Sequence, residues 1–493
     1  MTPQDFLEAH LAAHPEDAST LGIAGHSDRL PDPKSHVIPF VSESDDLDAD
    51  AARRASVGYA RTKIESNLEL AALPNAMLQH AALHARSDAD WNAIATRASQ
   101  VPAFVEAHLA NLRRGAPDAD VTKVFVERVL PGAADAVASL SFAAAAKKQS
   151  TEIVTRISEA VRAAGDAYRA FAAGIAKDVT PRTDVVLGEE ETAFRLREVM
   201  GVDTNADELV AEARDQLARL RPKIDRDALM KVLAPRPTSL DDALAGYRRW
   251  VVEATNFVRD RELIPVPPGL ALDLEPLPGG IADGSGVTNW PAPLFDPKGK
   301  GHVLYATDPA AHPNVSMKNL AVHEGIPGHY LQSVWWQRHA KPEHACRYLG
   351  VADDVAFAHG YFGTTLAVEG WAVYVEQLLR KHGFYDTKDE DLFFDFCEVI
   401  RAMRVVLDLE LQRGRMSGEE AARFVADVTT MPEGWARSQV VRAKRLPLQG
   451  LTYQVGAREI TKLRKTFRGD DIEFHEKLLS LGPVPPSRAA KFL

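Results

Sequence analysis

Cysteine is scarce in this chain: there are two in 493 residues, Cys346 and Cys397. That excludes a disulfide framework and a Cys-rich zinc site, so any metal must be held by histidine and carboxylate. No stretch approaches the ~18 consecutive apolar residues that a membrane span requires. The opening residues, MTPQDFLEAHLAAHPEDAS, have neither a basic start nor an unbroken apolar run, so no secretory signal is expected. A cytoplasmic location is the expectation that fits so few thiols. Basic runs are missing too, and the formal net charge is -11. Neither nucleic acid nor membrane is therefore an expected partner.

Hydrophobic residues make up 45% and charged residues 26%, the balance of a folded protein. The length suits two or three domains, or one large interlocked one. From about residue 49 to 263 the pattern is helix after helix. DADAARRASVGYARTKIESNLELAAL places Val57, Ala60, Ile64, Leu68 and Ala71 at helical spacing. TEIVTRISEAVRAAGDAYRAFAAGIAK sets Ile153, Ile157, Val161, Ala164, Tyr168 and Phe171 in one stripe, bounded by Thr151 and Glu152 before it and DVTPRTD after it. From residue 264 the chain turns rich in proline and glycine. GLALDLEPL and GHVLYAT read as short strands there, with DPKGKG as a turn. Helices resume near residue 316. The expected fold is mainly α, with a small sheet or hairpin beside the active-site helices. Two lobes, 1–190 and 191–493, are expected, or one interlocked domain.

One segment then stands out: NLAVHEGIPGHYLQ, residues 319–332. It holds His323, Glu324 and His329, close to the H-E-x-x-H pattern of zinc peptidases but two residues longer. In an ideal helix, residues six apart point about 120° away from each other, so an unbroken helix would keep the imidazoles apart. Pro327 lacks an N–H and clashes with the carbonyl of His323, four residues back. Gly328 tolerates backbone angles that other residues resist. Together they supply a bulge that returns His329 to the face of His323. Downstream, TTLAVEGWAVYVEQLLRKHG carries Glu369 and Glu376 on one helical face. Either can complete a His₂Glu zinc site with an open fourth position; Glu369 is favoured because Gly370 leaves room beside it.

HEGIPGHYLQ followed by VEGWAVYVE resembles a bacterial family known only as domain of unknown function 885. The pattern is matched by His323, Glu324, Gly325, Pro327, Gly328 and His329, then by Glu369, Gly370, Trp371 and Ala372. LQGLTYQVGAREI is similar to the family's Tyr-x-x-Gly element through Tyr453 and Gly456. The likeness covers most of the chain from about residue 190 and only loosely the part before it. It implies a helical zincin-like peptidase fold, with His323, His329 and Glu369 binding Zn²⁺ and Glu324 as the base. Arg401, Arg404 and Asp408 also match, whereas Glu410 and Gln412 stand where Gly and His are common.

The function expected is zinc-dependent hydrolysis of peptide bonds, with short peptides as substrates and Glu324 moving the proton. Tyr453 is the candidate oxyanion donor. The strand GHVLYAT offers an edge to an extended substrate, with His302 and Tyr305 lining the cleft. Arg401, Arg404 and Arg458 are candidates for binding a substrate carboxylate. Asp353 and Asp354 suit either a helix start or the support of a ligand imidazole. Two alternatives share the residues: hydrolysis of a non-peptide amide, and a catalytically silent scaffold.

Overall fold

The stripe at residues 153–171 folds as it reads. In the computed structural model, which describes residues 1–34, 36–277 and 286–493, a helix runs from Thr151 to Asp178. The Ser150 hydroxyl caps it by accepting the Ile153 amide, and the six stripe residues are all buried. The helical pattern expected over residues 48–73 folds differently. The helix spans Leu47–Tyr59 and gives way to single tight turns at Ile64–Ser66 and Glu69–Ala71. There the Thr62 hydroxyl donates to the His359 carbonyl (3.1 Å). Thr62 is thereby tied to a distant helix just beyond the point where this one ends.

Helices dominate, and a three-stranded sheet completes the fold: β1 (Leu274–Pro276), β2 (Val287–Trp290) and β3 (His302–Tyr305), in the order β1-β3-β2. β1 pairs parallel with β3, and β2 pairs antiparallel with it. The two strands read from the sequence therefore do not form a hairpin with each other. DPKGKG lies in the connection from β2 to β3, and β2 was not foreseen. β3 is central, so both of its edges are taken, and the expectation that GHVLYAT receives a substrate strand is corrected. The outer edge beside the motif belongs to β2.

The chain before residue 190 is divided between two apolar cores. Residues 64–179 build one apolar core around Trp91, Phe125 and Tyr168, and Val355 and Ala358 belong to it. Residues 6–59 instead join the core of the later half, with Trp371, Val406 and Leu451. A third, small cluster under the sheet joins Tyr247, Val303, Ile326 and Tyr330. By length and composition the helical rod Ala119–Ala146 is apolar enough to cross a bilayer. Leu130, Val137 and Leu140 on it pack into the second core, and 39% of the apolar window is buried.

Candidate metal centre

Helix Asn314–Leu320 leads into a widened, π-type turn over Ala321–Gly325. A cis Ile326–Pro327 bond follows, and a new helix, His329–His339, starts at the second histidine. The helix thus widens as expected, and is then broken and restarted. The Gly328 amide donates to the Val322 carbonyl (2.9 Å). A Cβ on Gly328 would lie 1.9 Å from the His323 carbonyl oxygen, so only glycine fits that reversal. The break brings the two imidazoles together, with ring centroids 4.8 Å apart and planes nearly perpendicular.

Glu369 enters from the helix Thr365–Lys381. Its Oε2 lies 3.5 Å from His323 Nε2 and 3.4 Å from His329 Nε2. That oxygen is buried and makes no hydrogen bond. Donors held about 2.0–2.2 Å from a tetrahedral zinc ion sit about 3.4 Å from one another. The three donor atoms, all on buried residues, therefore fit such an ion. Burial alone lowers the pKa of His323, but the carboxylates of Glu369 and Glu376 reverse this and push it up to about 10. Burial raises Glu369, and the two imidazoles beside it more than undo that, leaving it below the usual carboxylate range.

Glu376 is not a fourth ligand. Seven residues after Glu369 on the same helix face, it takes the other nitrogen of His323, Nδ1, at 2.5 Å. Arg401, from helix Lys388–Gln412, grips both Glu376 oxygens at 2.8 and 2.7 Å and reaches Glu398 at 2.9 Å. Arg401 is therefore engaged by Glu376 and Glu398 rather than offered to a substrate, a correction to the expected role. Such carboxylate–imidazole support fixes tautomer and ring angle and is worth 10–100-fold in metal affinity, to order of magnitude. Glu376→Gln is accordingly expected to bind zinc about 10–100-fold more weakly, read by competition with a chromogenic chelator.

The Arg401 helix supports the site at two more points. Asp408 accepts the Leu451 amide (3.0 Å) at the start of the helix Thr452–Thr466, which carries Tyr453. Arg404 lies over the Tyr453 ring, 5.4 Å from its centroid, and bonds Gln439 at 3.1 Å. It has no carboxylate partner among the described residues. Tyr453 stacks near-parallel to the His323 ring at 6.4 Å. Burial and the Glu369 charge raise its phenol, so it stays a proton donor.

The Tyr453 helix reaches this position through a backbone contact. Gly456 and Gly370 face each other so closely that a Cβ on Gly456 would lie 2.1 Å from the Leu366 carbonyl oxygen and 2.7 Å from Gly370 Cα. Trp371, next along, donates its indole N–H to the Pro327 carbonyl (3.0 Å), pinning the broken helix.

Glu324 Oε2 accepts the Asn289 amide of β2 (3.0 Å), and its charge acts on both His323 and His329. Asp353 and Asp354 lie in the first turn of helix Asp353–His359 and bond neither ligand imidazole. Both residues are exposed at the start of that helix.

The remaining expected site residues lie elsewhere. Tyr305 packs at the margin of the cluster under the sheet, on the face of β3 that carries Val303. No hydrogen bond or ring contact joins it to the ligands. His302 bonds Glu275 (2.8 Å). Arg458 pairs with Glu212, Glu459 and Thr204 on the side of its helix facing Leu209–Gln216, so it is not brought to the site. Gln412 fastens Ala443 and Leu187, and Glu410 faces Arg214. The departures from the family pattern are therefore scaffold contacts.

The pattern of the family described as bacterial protein of unknown function (DUF885) matches residues 15–491. The chain is a DUF885 protein. The match takes in the helical N-terminal part as well as the motif region. Among solved structures, a provisionally described lipoprotein of unknown function from Shewanella oneidensis is 18% identical, with a TM-score of 0.68. The alignment covers 99% of this chain and 98% of that one. Another, from Colwellia psychrerythraea and described in the same way as a lipoprotein, is 16% identical with a TM-score of 0.72, over 99% and 97%. At such identities the likeness shows a shared fold. No curated protein matches the chain.

Proposed function

We propose that this DUF885 protein is a zinc-dependent hydrolase of peptide bonds, with short peptides or closely related amides as substrates. The observation that carries the reading is the convergence of His323, His329 and Glu369 around a buried Glu369 oxygen that has no hydrogen bond. Histidine with carboxylate is the donor set of catalytic zinc, which leaves a position open. When bound, the ion supplies a Lewis acid that polarises a carbonyl and acidifies water. The protein's own groups do the rest. Glu324, fixed by the β2 amide, takes a proton from the attacking water and returns it to the leaving nitrogen. Tyr453, kept protonated, donates to the oxyanion as it develops. Arg404, with no carboxylate of its own, receives a substrate carboxylate.

The test is metal content. Each of His323→Ala, His329→Ala and Glu369→Ala is expected to remove one zinc per chain relative to the wild-type protein, measured by mass spectrometry of the metal after desalting. Unchanged metal content in all three would end the hydrolase reading.

A further inference from the structure

The chemistry above leaves unused a second group of buried ionisable side chains. Glu16 and Asp17 are neighbours in the first turn of helix Pro15–Leu21, and each is 0% exposed. Asp17 is fully bonded. Its Oδ2 accepts the Tyr59 hydroxyl (2.6 Å) and meets His10 Nε2 (2.9 Å), and its Oδ1 accepts the Gly350 amide (2.8 Å). Glu16 is not. Its Oε1 lies 2.7 Å from His359 Nε2 and 3.1 Å from His14 Nδ1, while Oε2 is buried with no hydrogen bond at all. Among the described residues no lysine or arginine pairs with either carboxylate.

Two carboxylates this deep, each costing several kcal/mol to desolvate, call for cationic compensation. One donor atom from each of His14, Glu16 and His359 lies within 4.8 Å of the others. The outer nitrogen of His359, Nδ1, faces the Thr62 hydroxyl at 3.5 Å, where a ligating imidazole ordinarily finds its support. The Tyr59 ring stacks on His359 at 4.5 Å and meets His14 edge-on at 4.8 Å, closing one wall. A divalent ion would balance the two carboxylates.

We propose that His14, Glu16 and His359 form a second metal site, for a divalent ion of the zinc class that imidazole and carboxylate favour. Its role is structural. The ion fastens the N-terminal segment to helix Asp353–His359, whose last residue precedes Glu369 by ten positions. No reaction is assigned to it, and the site does not depend on the function proposed above.

The experiment uses the full chain with the first site removed, His323→Ala/Glu369→Ala. After loading with zinc and desalting, about one zinc per chain is expected to stay and to raise Tm by several degrees over the chelator-treated protein. Adding Glu16→Gln, which keeps size and most hydrogen bonds, is expected to abolish both effects. Cobalt(II) added to the same first-site-null protein gives a second readout that needs no change at the cluster. Visible d–d bands of a low-coordinate site are expected at one equivalent. Loss of all zinc and absence of cobalt bands in the first-site-null protein would overturn the proposal. Zinc retained undiminished after Glu16→Gln would overturn it as well.

Discussion

A Glu324→Gln protein is expected to keep its zinc and lose about 10²–10⁴-fold in kcat on any peptide or amide that the wild-type protein hydrolyses. The substitution is nearly isosteric. A glutamine oxygen can accept the same Asn289 amide, so the side chain keeps its place against β2. Glu376 supports His323, Trp371 and the Gly328 reversal support the broken helix, and none of these contacts is altered by the substitution. Only basicity is removed. Parallel measurement of metal content and kcat separates the outcomes. Zinc retained with activity within about tenfold of wild type would move the base elsewhere, against the usual weight of such a group.

Gly456→Ala is expected to cost about 3 kcal/mol of stability and to lower both metal affinity and activity. A new Cβ would meet the Leu366 carbonyl oxygen at 2.1 Å and Gly370 Cα at 2.7 Å. Both are backbone atoms inside a helix, so no side chain can rotate away. The helices must part, which moves Glu369 on one and Tyr453 on the other. Denaturant unfolding beside zinc titration checks this. An unchanged midpoint would show that the two helices can separate freely. Gly383→Ala is no equivalent control, because its φ of 83° brings strain of a different kind.

These two glycines show what could be read in advance. Each stood in a recognisable block, next to Glu369 and close to Tyr453, and the need for room was legible at both. That they meet each other was not, because a helix crossing is a fact of tertiary packing. The same holds around the histidines. Pro327 and Gly328 announced a break, whereas the restart of a helix at His329 depends on partners elsewhere, such as Trp371. Long side chains were least legible. Arg401 and Arg458 read alike as candidates for a substrate carboxylate, but one ends on Glu376, 25 residues back, and the other on Glu212, 246 back. β2 escaped notice because its four residues, Val-Thr-Asn-Trp, are too short to show alternation. His14, Glu16 and His359 lie up to 345 positions apart and share no pattern at all.

The placement of Val355 and Ala358 in the core of residues 64–179 has a mechanical consequence. Helix Asp353–His359 bridges two cores, because Ala356 packs with the later half while Val355 and Ala358 pack with residues 64–179. The chain then resumes at Thr365 as the helix that bears Glu369. Between the two helices Arg54 holds the Gly363 carbonyl and Thr364 holds that of Gly350. A shift of the 64–179 core would therefore be resisted on both sides of this connection, and the short helix acts as a tie between that core and the segment that positions Glu369.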